Sequence, residues 1–584
     1  MGKEERKGVD GKILRRTLNL VSPFKKTFIS TCVITILLSF MAPVRTLMIK
    51  YAIDDNIQNG DKEGLKEIII FLFLLLIIHA VMQFLQAYLA NWLGQSVVLN
   101  IRKDLFKHVV SFRLKYFDNT PIGSLVTRVT SDIQTINEVF SSGLLNIISD
   151  ILQLSVVLVF MFFVNWKLTL IVLIPVPILI VSTIMFKRIV EVAFKKVRVK
   201  VAEINTFVQE HVTGMNIVQI FNREEEEMRR FKKVNKEHMN GWLKTVWANA
   251  IFFPVVEILS AASIGLLVWW GARGVVSGFA KIGDIMAFIL FIHMMYRPIR
   301  QLADRFNTLQ MGMIAAERVF KILDTDEHIS NEGQFSDQKV EGDIEFKNVW
   351  FAYKDDNYVL KDVSMRVKPG QTLALVGATG AGKSSVINVL TKFYEINKGK
   401  ISIDGIDINE FTLEYLRKVT AVVLQDVFLF NDSILNNVTL LNKDITPGQV
   451  EAAAKLIGVH DFISELPGGY DYVVKERGVM LSAGQRQLIS FLRAYVYNPQ
   501  ILILDEATSS IDTNSELLIQ NAIDQLTQGR TSIIIAHRLS TIKNADYIIV
   551  LEKGEIVEGG CHKELLERDG YYKKLYDYQF KNEH

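Results

Sequence analysis

Eight residues, "GATGAGKS" at positions 377–384, indicate more about the architecture of this chain than any other segment. They follow a short apolar run, "LALVG", which predicts a strand, and they precede "KSSVINVLTKF", which predicts a helix. Glycine lets backbone N–H groups turn towards phosphate oxygens without a Cβ in the way. The N-terminus of the following helix adds partial positive charge. The pattern therefore predicts a phosphate-binding loop in a nucleotide site.

Individual side chains of this loop suit different parts of a nucleotide. Lys383 can reach the β and γ phosphates, and the hydroxyl of Ser384 can ligate Mg²⁺. ATP and Mg²⁺ are therefore the expected ligands. The predicted nucleotide-binding positions of the loop are Gly377, Thr379, Gly380, Gly382, Lys383, Ser384 and Ser385.

From about residue 342 onwards, short β-rich runs alternate with turns and helices. This alternation predicts an α/β domain with a largely parallel sheet. The predicted strands are "IEFKNVWFAY", "TLALVG", "ISIDGIDI", "TAVVLQ", "ILILDEA", "TSIIIAH" and "YIIVLEKG".

Two of these strands end in candidate catalytic side chains. Asp505 suits Mg²⁺, held directly or through water. Glu506 follows it at the edge where such sheets bind ligands, and is placed to polarise a water against the γ-phosphate. His537 closes another strand and is placed to sense that phosphate. The structural alternatives are a turn acid and a packed histidine, and the nearby phosphate loop favours the catalytic interpretation.

The N-terminal half is apolar enough to cross a membrane several times. Hydrophobic residues make up 49% of the chain and charged residues 22%, which indicates an apolar segment joined to a polar one. A helix that spans a bilayer needs about 20 mostly apolar residues. The net charge of +3 is too small to indicate a nucleic-acid partner. The predicted spans are residues 28–49, 67–91, 139–163, 167–186, 248–271 and 285–305.

The distribution of charge predicts the orientation of these spans. Basic residues precede the first span and an acidic loop follows it, which places the N-terminus in the cytoplasm. The connections at 92–138 and 187–247 are long, and they combine helical spacing with dense charge. They predict membrane helices that continue as cytoplasmic stalks. The expected location is the cell membrane, and the bacterial inner membrane in particular.

A second glycine-containing turn, "LSAGQRQ" at 481–487, opens another predicted helix. Together with the phosphate loop and the spans, it resembles the ATP-binding cassette (ABC) family, and the resemblance covers nearly the whole chain. The third position of the family signature is more often Gly, whereas here it is Ala483. The resemblance implies that Ser482, Gly484 and Gln485 of one chain cap the ATP bound by another. An ordinary helix cap is the local alternative.

The same resemblance implies roles for residues elsewhere. Tyr353 in "FAY" matches the aromatic that stacks on adenine, and Gln425 in "VVLQD" matches the glutamine that contacts Mg²⁺ and the attacking water. Asp512 in "SSID" matches the loop that links two ATP sites. In the exporter branch of the family, two intracellular loops each contain a short coupling helix, expected here near 118–126 and 213–220.

The expected organisation is a half-transporter. A membrane domain of six helices (1–320) and a linker (321–342) precede an α/β phosphate-loop ATPase domain (343–584). The expected activity is hydrolysis of ATP to ADP and phosphate, which drives export or flipping of amphiphilic small molecules or lipids. The expected partner is a second half-transporter, with a homodimer favoured over a heterodimer with a sister chain.

Two other classes of protein use parts of this machinery. A nucleotide-gated channel or regulatory subunit would not need Lys383, Glu506 and His537 together. A soluble ATPase of the same family would not need six spans. An exporter agrees with both features.

Among the charged or titratable residues of the predicted spans, the candidates for a functional role are Arg45, His79, Glu257 and His293. Such residues are costly in a membrane and often line a transport pathway. The alternative is a structural pair, for example Glu257 with Arg45. Both interpretations stay open at this point.

Overall fold

The computed structural model describes residues 11–337, 339–505, 513–536 and 539–580. Contacts within the chain divide it into two compact units. The first comprises the described part of Met1–Val110 together with Pro121–Asp326, and the second comprises Ser111–Thr120 and the described part of Glu327–His584. The predicted fold class is confirmed, because the first unit is helical and the second is α/β.

Long helices build the first unit. From the N-terminus to Leu323 the α-helices are α1 Gly11–Asn19, α2 Lys25–Tyr51, α3 Lys62–Val110, α4 Leu114–Asn119, α5 Ile122–Thr127, α6 Ile133–Glu138, α7 Leu144–Val172, α8 Val176–Thr213, α9 Met215–Ile220, α10 Glu224–Val276 and α11 Ile282–Leu323. Of these, α4 belongs to the second unit. The 53 residues of α10 extend about 80 Å at ~1.5 Å per residue. That length far exceeds a hydrocarbon core of roughly 30 Å.

Five helical segments of the described chain are long and apolar enough to cross a membrane. They are Ser22–Ile57, Lys62–Val110, Ile122–Val172, Glu224–Val276 and Ile282–Ile299. The predicted first, second, third and fifth spans lie within four of these segments, and the sixth (285–305) overlaps the last of them. Helix α11, which contains the sixth predicted span, continues to Leu323, well beyond its apolar part.

The prediction of one continuous helix over 167–186 is wrong. Helix α7 ends at Val172 and α8 begins at Val176, with a turn between them that contains Pro175. Proline lacks a backbone N–H and disrupts a helix that continues through it. The apolar composition is the same on both sides of the turn, so hydropathy alone does not reveal it. The gap between the predicted spans 139–163 and 167–186 coincides with a break in the helix, because Asn165 has the non-helical angles φ −161° and ψ 102°.

Large apolar side chains fill the centre of the helical unit. Phe288, Phe291 and Tyr296 of α11 are fully buried and pack with residues of α7, α8 and α10. The Tyr296 hydroxyl lies 2.9 Å from Ser263 Oγ, which also donates to the Val172 carbonyl at 3.2 Å. The buried hydroxyls are therefore hydrogen-bonded, as burial requires.

The second unit contains two sheets. Its strands are β1 Ile344–Ala352, β2 Tyr358–Val367, β3 Thr372–Val376, β4 Lys398–Ile403, β5 Ile406–Asp407, β6 Thr420–Val423, β7 Ile501–Asp505, β8 Thr531–Ile535, β9 Tyr547–Glu552 and β10 Glu555–Gly560. One sheet has the order β10-β9-β3-β8-β7-β6 and is parallel except for β10. The other is antiparallel, with the order β2-β1-β4-β5.

The parallel strands of the larger sheet are buried on both faces. In β3, Ala374 and Val376 face one apolar cluster, whereas Leu373 and Leu375 face another. Strand β7 alternates in the same way, with Leu502 and Leu504 on the first side. Side chains of a strand point alternately to opposite faces, so a continuous apolar run is what a sheet covered on both sides requires.

Helices cover the sheets of the second unit. They are α12 Lys383–Leu390, α13 Leu413–Val419, α14 Ile434–Thr439, α15 Pro447–Leu456, α16 His460–Glu465, α17 Ala483–Val496, α18 Thr513–Thr527, α19 Leu539–Asn544, α20 His562–Glu567 and α21 Tyr571–Phe580. Between α11 and β1, residues 324–343 contain no helix or strand in their described part.

The first predicted coupling helix, 118–126, is divided in the structure. Helix α4 ends at Asn119 and α5 begins at Ile122. Thr120 is extended, with φ −122° and ψ 121°, because a residue before proline is disfavoured in the helical region. The second predicted position, 213–220, contains α9 (Met215–Ile220).

Candidate nucleotide site

The phosphate loop connects β3 to α12, as the sequence predicts. Gly382 precedes α12 in the left-handed region, with φ 106°, which L-residues with a Cβ rarely adopt. A Cβ on Gly377 would lie 2.2 Å from the Leu551 carbonyl oxygen. Glycine is therefore required at both positions, for a backbone angle in one case and for a close approach in the other.

Lys383 is only 7% exposed and lies against its own loop. Its ammonium donates to the carbonyls of Gly377, at 2.6 Å, and Ala378, at 3.1 Å. Burial lowers the pKa of this ammonium, and Asp505 offsets part of that effect. The charge is thus positioned inside the loop where phosphate would lie.

A hydroxyl and a carboxylate meet beside the loop. Ser384 Oγ donates to Asp505 Oδ2 at 3.4 Å, and Asp505 is the last residue of β7. Oxygen ligands of this kind suit Mg²⁺, which typically keeps several waters and is bound by one or two protein groups plus phosphates. Within the described residues there is no group of three His, Cys, Asp or Glu side chains that could hold a metal. The pair therefore fits a magnesium ion shared with a nucleotide.

Tyr353 follows β1 and is held in place by α12. Its hydroxyl lies 3.1 Å from Ser385 Oγ and accepts from Asn388 Nδ2 at 3.0 Å. Its ring makes an edge contact with Tyr394, at 4.9 Å between ring centroids. Both the packing interpretation and the adenine-stacking interpretation need this fixed ring. Asn388 was not among the predicted residues, although it lies one helical turn after Ser385 on the same face.

One cavity of about 410 Å³ brings most of the predicted residues together. Val359 and Ile535, which the sequence analysis did not single out, add apolar surface to its lining. Gly377 lies in the loop but outside the lining. The predicted residues that line the cavity are Tyr353, Thr379, Gly380, Gly382, Lys383, Ser384, Ser385, Gln425 and Asp505.

The signature turn forms a helix cap. Ser482 Oγ accepts from Gln485 N at 3.1 Å, and Gln485 Oε1 accepts from Ser482 N at 2.9 Å. Ser482 is exposed, whereas Gly484 is buried in the first turn of α17. Among the described residues that line the nucleotide cavity, none comes from the signature turn. The predicted helix cap is therefore present, and its Ser482 is exposed.

Three predicted residues lie outside the described part of the chain. Glu506 and Asp512 follow β7, and His537 follows β8. The last residues of these two strands, Asp505 and Ile535, are partners in the sheet and both line the cavity. The assignments of Glu506, Asp512 and His537 stay predictions.

A second cavity, of about 390 Å³, lies within the helical unit. Three of the four span residues predicted to have a functional role line it, namely Arg45, His79 and His293. Glu257 is exposed and is not among its lining residues. The structure therefore brings three of the candidates to one place.

Two segments of the chain match known protein families. Residues 28–299 match the family described as ABC transporter transmembrane region. Residues 360–509 match the family described as ABC transporter. The two matches fall in the helical and the α/β parts of the chain respectively.

Curated relatives resemble the chain over almost its full length. An ATP-dependent lipid A-core flippase of Syntrophus aciditrophicus is 35% identical over 98% of this chain and 95% of its own. A putative multidrug export ATP-binding/permease protein of Bacillus subtilis is 34% identical over 97% of this chain and 99% of its own. An uncharacterized ABC transporter ATP-binding protein of the same species is 36% identical over 97% and 94%.

Proposed function

Because this chain belongs to the ABC transporter family, as an exporter-type half-transporter whose ATPase is coupled to export, we propose that two copies associate. In the proposed homodimer, each ATP lies between the phosphate loop of one copy and the signature turn of the other. Every predicted catalytic position is present in this one sequence, so two copies supply two complete sites. We also propose the boundaries 1–320, 321–342 and 343–584 for membrane domain, linker and ATPase domain.

One observation supports the shared site above all. The nucleotide cavity is lined by the phosphate loop, Tyr353, Gln425 and Asp505, and its described lining has no residue from the signature turn. Yet Ser482 is exposed at the N-terminus of the 14-residue helix α17, where free N–H groups and the helix dipole favour an anion. A second copy would place this turn against a γ-phosphate.

Each residue of the cavity has a role in the proposed reaction. Lys383 binds the β and γ phosphates, and Tyr353 supports the adenine. Ser384, Gln425 and Asp505 would hold Mg²⁺, which supplies neutralisation of phosphate charge. Glu506 polarises the attacking water, and His537 orients the γ-phosphate. Asp512 links the two ATP sites.

The proposed conformational change is driven by nucleotide binding. ATP binds the closed dimer more tightly than the open one, so it shifts the population towards the closed state, and hydrolysis reverses the shift.

The proposed cargo is an amphiphilic small molecule or lipid. The support is the similarity to one relative named a lipid A-core flippase and another named a putative multidrug exporter. The chain is a multi-pass membrane protein. We place it in the cytoplasmic membrane of a bacterium, with the N-terminus and the ATPase domain inside, because its basic residues precede the first span and these relatives are bacterial.

Mixed dimers of two inactive variants test the shared site. Ser482→Arg alone and Lys383→Ala alone should each reduce ATP turnover in vesicles to background. A tandem fusion of the two variants should regain turnover, because one of its sites joins an intact phosphate loop to an intact signature turn.

Thr446→Arg is the matched control, because Thr446 and Gln449 form the same kind of capping box at the start of α15. This variant should hydrolyse ATP like the unmodified protein. Full turnover by Ser482→Arg alone, or an inactive tandem fusion, would contradict the shared site.

A further inference from the structure

The cavity of about 390 Å³ in the helical unit has an excess of positive charge. Its ionisable lining residues are Arg45, His79, Asp150, His293, Arg297 and Arg305, contributed by α2, α3, α7 and α11. Among the described lining residues, three guanidinium groups and one carboxylate leave two positive charges when the histidines are neutral. Charges in membrane helices are costly, so an excess of one sign indicates a bound counter-charge.

Asp150, the one carboxylate among the described lining residues, is already engaged. Arg305 donates to Asp150, and it also donates to the Asn146 carbonyl at 2.9 Å and to Gln301. Arg305 is therefore fixed by partners of its own chain. The ion pair with Asp150 therefore gives Arg305 a structural role within the helical unit.

Among the described residues, Arg305 is the only arginine of the cavity within ion-pair distance of Asp150, although the charge of Arg297 also acts on that carboxylate. Within the part of the chain that the structure describes, neither Arg45 nor Arg297 forms an ion pair with a carboxylate. The side chain of Arg45 is half-buried, and that of Arg297 is exposed. The guanidinium group presents a planar fork of donors that matches phosphate and carboxylate oxygens.

Neutral polar groups complete the lining. Gln83, Gln153 and Ser149 add donors beside the arginines, and the volume suits a headgroup rather than a whole lipid. We propose that this cavity binds the anionic headgroup, a phosphate or carboxylate, of the amphiphile that the protein exports. This proposal rests on the exporter function and narrows its substrate class to anionic amphiphiles.

Equilibrium binding of dodecyl phosphate to the purified full-length dimer tests the proposal. Arg45→Gln should weaken binding by about tenfold or more, because it removes a charge-assisted contact. Arg45→Lys should weaken binding less than Arg45→Gln does, because the ammonium keeps the charge but lacks the planar fork. Arg188→Gln removes the same charge from an exposed position on α8 and should bind like the unmodified protein. Melting temperatures of all variants identify a folding defect.

Two competitors distinguish the source of the anion. Neutral dodecyl maltoside should not displace dodecyl phosphate, because it lacks the charge. Inorganic phosphate alone should displace it only at much higher concentration, because the apolar chain contributes to binding. Equal displacement by inorganic phosphate would overturn the amphiphile and indicate a free anion.

ATP hydrolysis separates this proposal from the exporter function. Dodecyl phosphate should stimulate the ATPase of the unmodified protein more than dodecyltrimethylammonium does. An active ATPase that responds equally to both, or an Arg45→Gln variant with unchanged binding, would overturn the anionic site alone. An inactive ATPase in the unmodified protein would instead overturn the proposed function.

Discussion

The hydroxyl of Tyr394 donates a hydrogen bond to the carboxylate of Asp118, 276 residues away in the sequence. Burial and the Asp118 charge raise the pKa of Tyr394, so the phenol stays protonated as the donor. The ring of Tyr394 also contacts Tyr353, which lines the nucleotide cavity. Helix α4, which contains Asp118, directly follows α3 in the chain. Tyr353, Tyr394 and Asp118 thus form a series of contacts from the nucleotide cavity to α4.

Tyr394→Phe should loosen α4. The variant loses a hydrogen bond to a charged acceptor, worth about 1.5–3 kcal/mol. Hydrogen exchange of Leu114–Asn119 should therefore become faster, and export per ATP should fall. Tyr470→Phe is the control, since Tyr470 makes a comparable hydrogen bond to His460, at 2.9 Å, elsewhere in the same unit. Unchanged exchange in α4 would refute the connection.

Gly377→Ala should damage the nucleotide site. The added Cβ would lie 2.2 Å from the Leu551 carbonyl oxygen, so the loop or β9 must move. Overpacking of this kind costs about 1–3 kcal/mol. Nucleotide affinity, measured by titration, should fall together with the free energy of unfolding. Gly448→Ala, with nothing within 4 Å of the new Cβ, should leave both nearly unchanged.

Glu506→Gln should bind ATP but hydrolyse it very slowly. Loss of a general base typically reduces turnover by about 10²–10⁴-fold, whereas the amide keeps the size of the side chain. Retained labelled ATP and released phosphate measure the two effects. The comparison variant is Glu552→Gln, at the end of strand β9 of the same sheet, which should turn over normally. Normal turnover by Glu506→Gln would show that another group polarises the water.

The stability of the second unit should decrease as pH falls below about 6.5, the ordinary pKa of histidine. Burial and the nearby Lys543 lower the pKa of His562, whose Nδ1 lies 2.6 Å from the Tyr572 hydroxyl. The folded state therefore favours the neutral ring, and the unfolded state binds the proton first. This contribution is present above pH 6.5 and is lost as pH falls through the folded pKa.

Melting temperatures measured between about pH 7.5 and pH 5, the range in which histidine side chains change their charge, check this prediction. His562→Gln should melt lower than the unmodified protein at the higher pH, and its melting temperature should vary less with pH. A pH dependence that is identical in the two proteins would contradict the role of His562.

Local patterns in the chain were enough to predict the phosphate loop, its flanking strand and helix, and the parallel strands. Each of these depends on neighbours in sequence: glycines at fixed spacing, or apolar runs buried on both faces of a sheet. Strands β2 and β10 were not predicted, because antiparallel strands with a solvated face mix charges with apolar residues. The family resemblance supplied Tyr353, Gln425 and Asp512, which no local pattern distinguishes from packing or turn residues.

Contacts between distant parts of the chain emerged only from the tertiary structure. The Tyr394 hydroxyl meets the Asp118 carboxylate across 276 residues. Arg45 belongs to α2 and Arg297 to α11, and only the packing of these helices gathers their positive charge into one cavity. Such arrangements depend on how faces of helices and strands meet, and the spacing of residues along the chain does not contain that information.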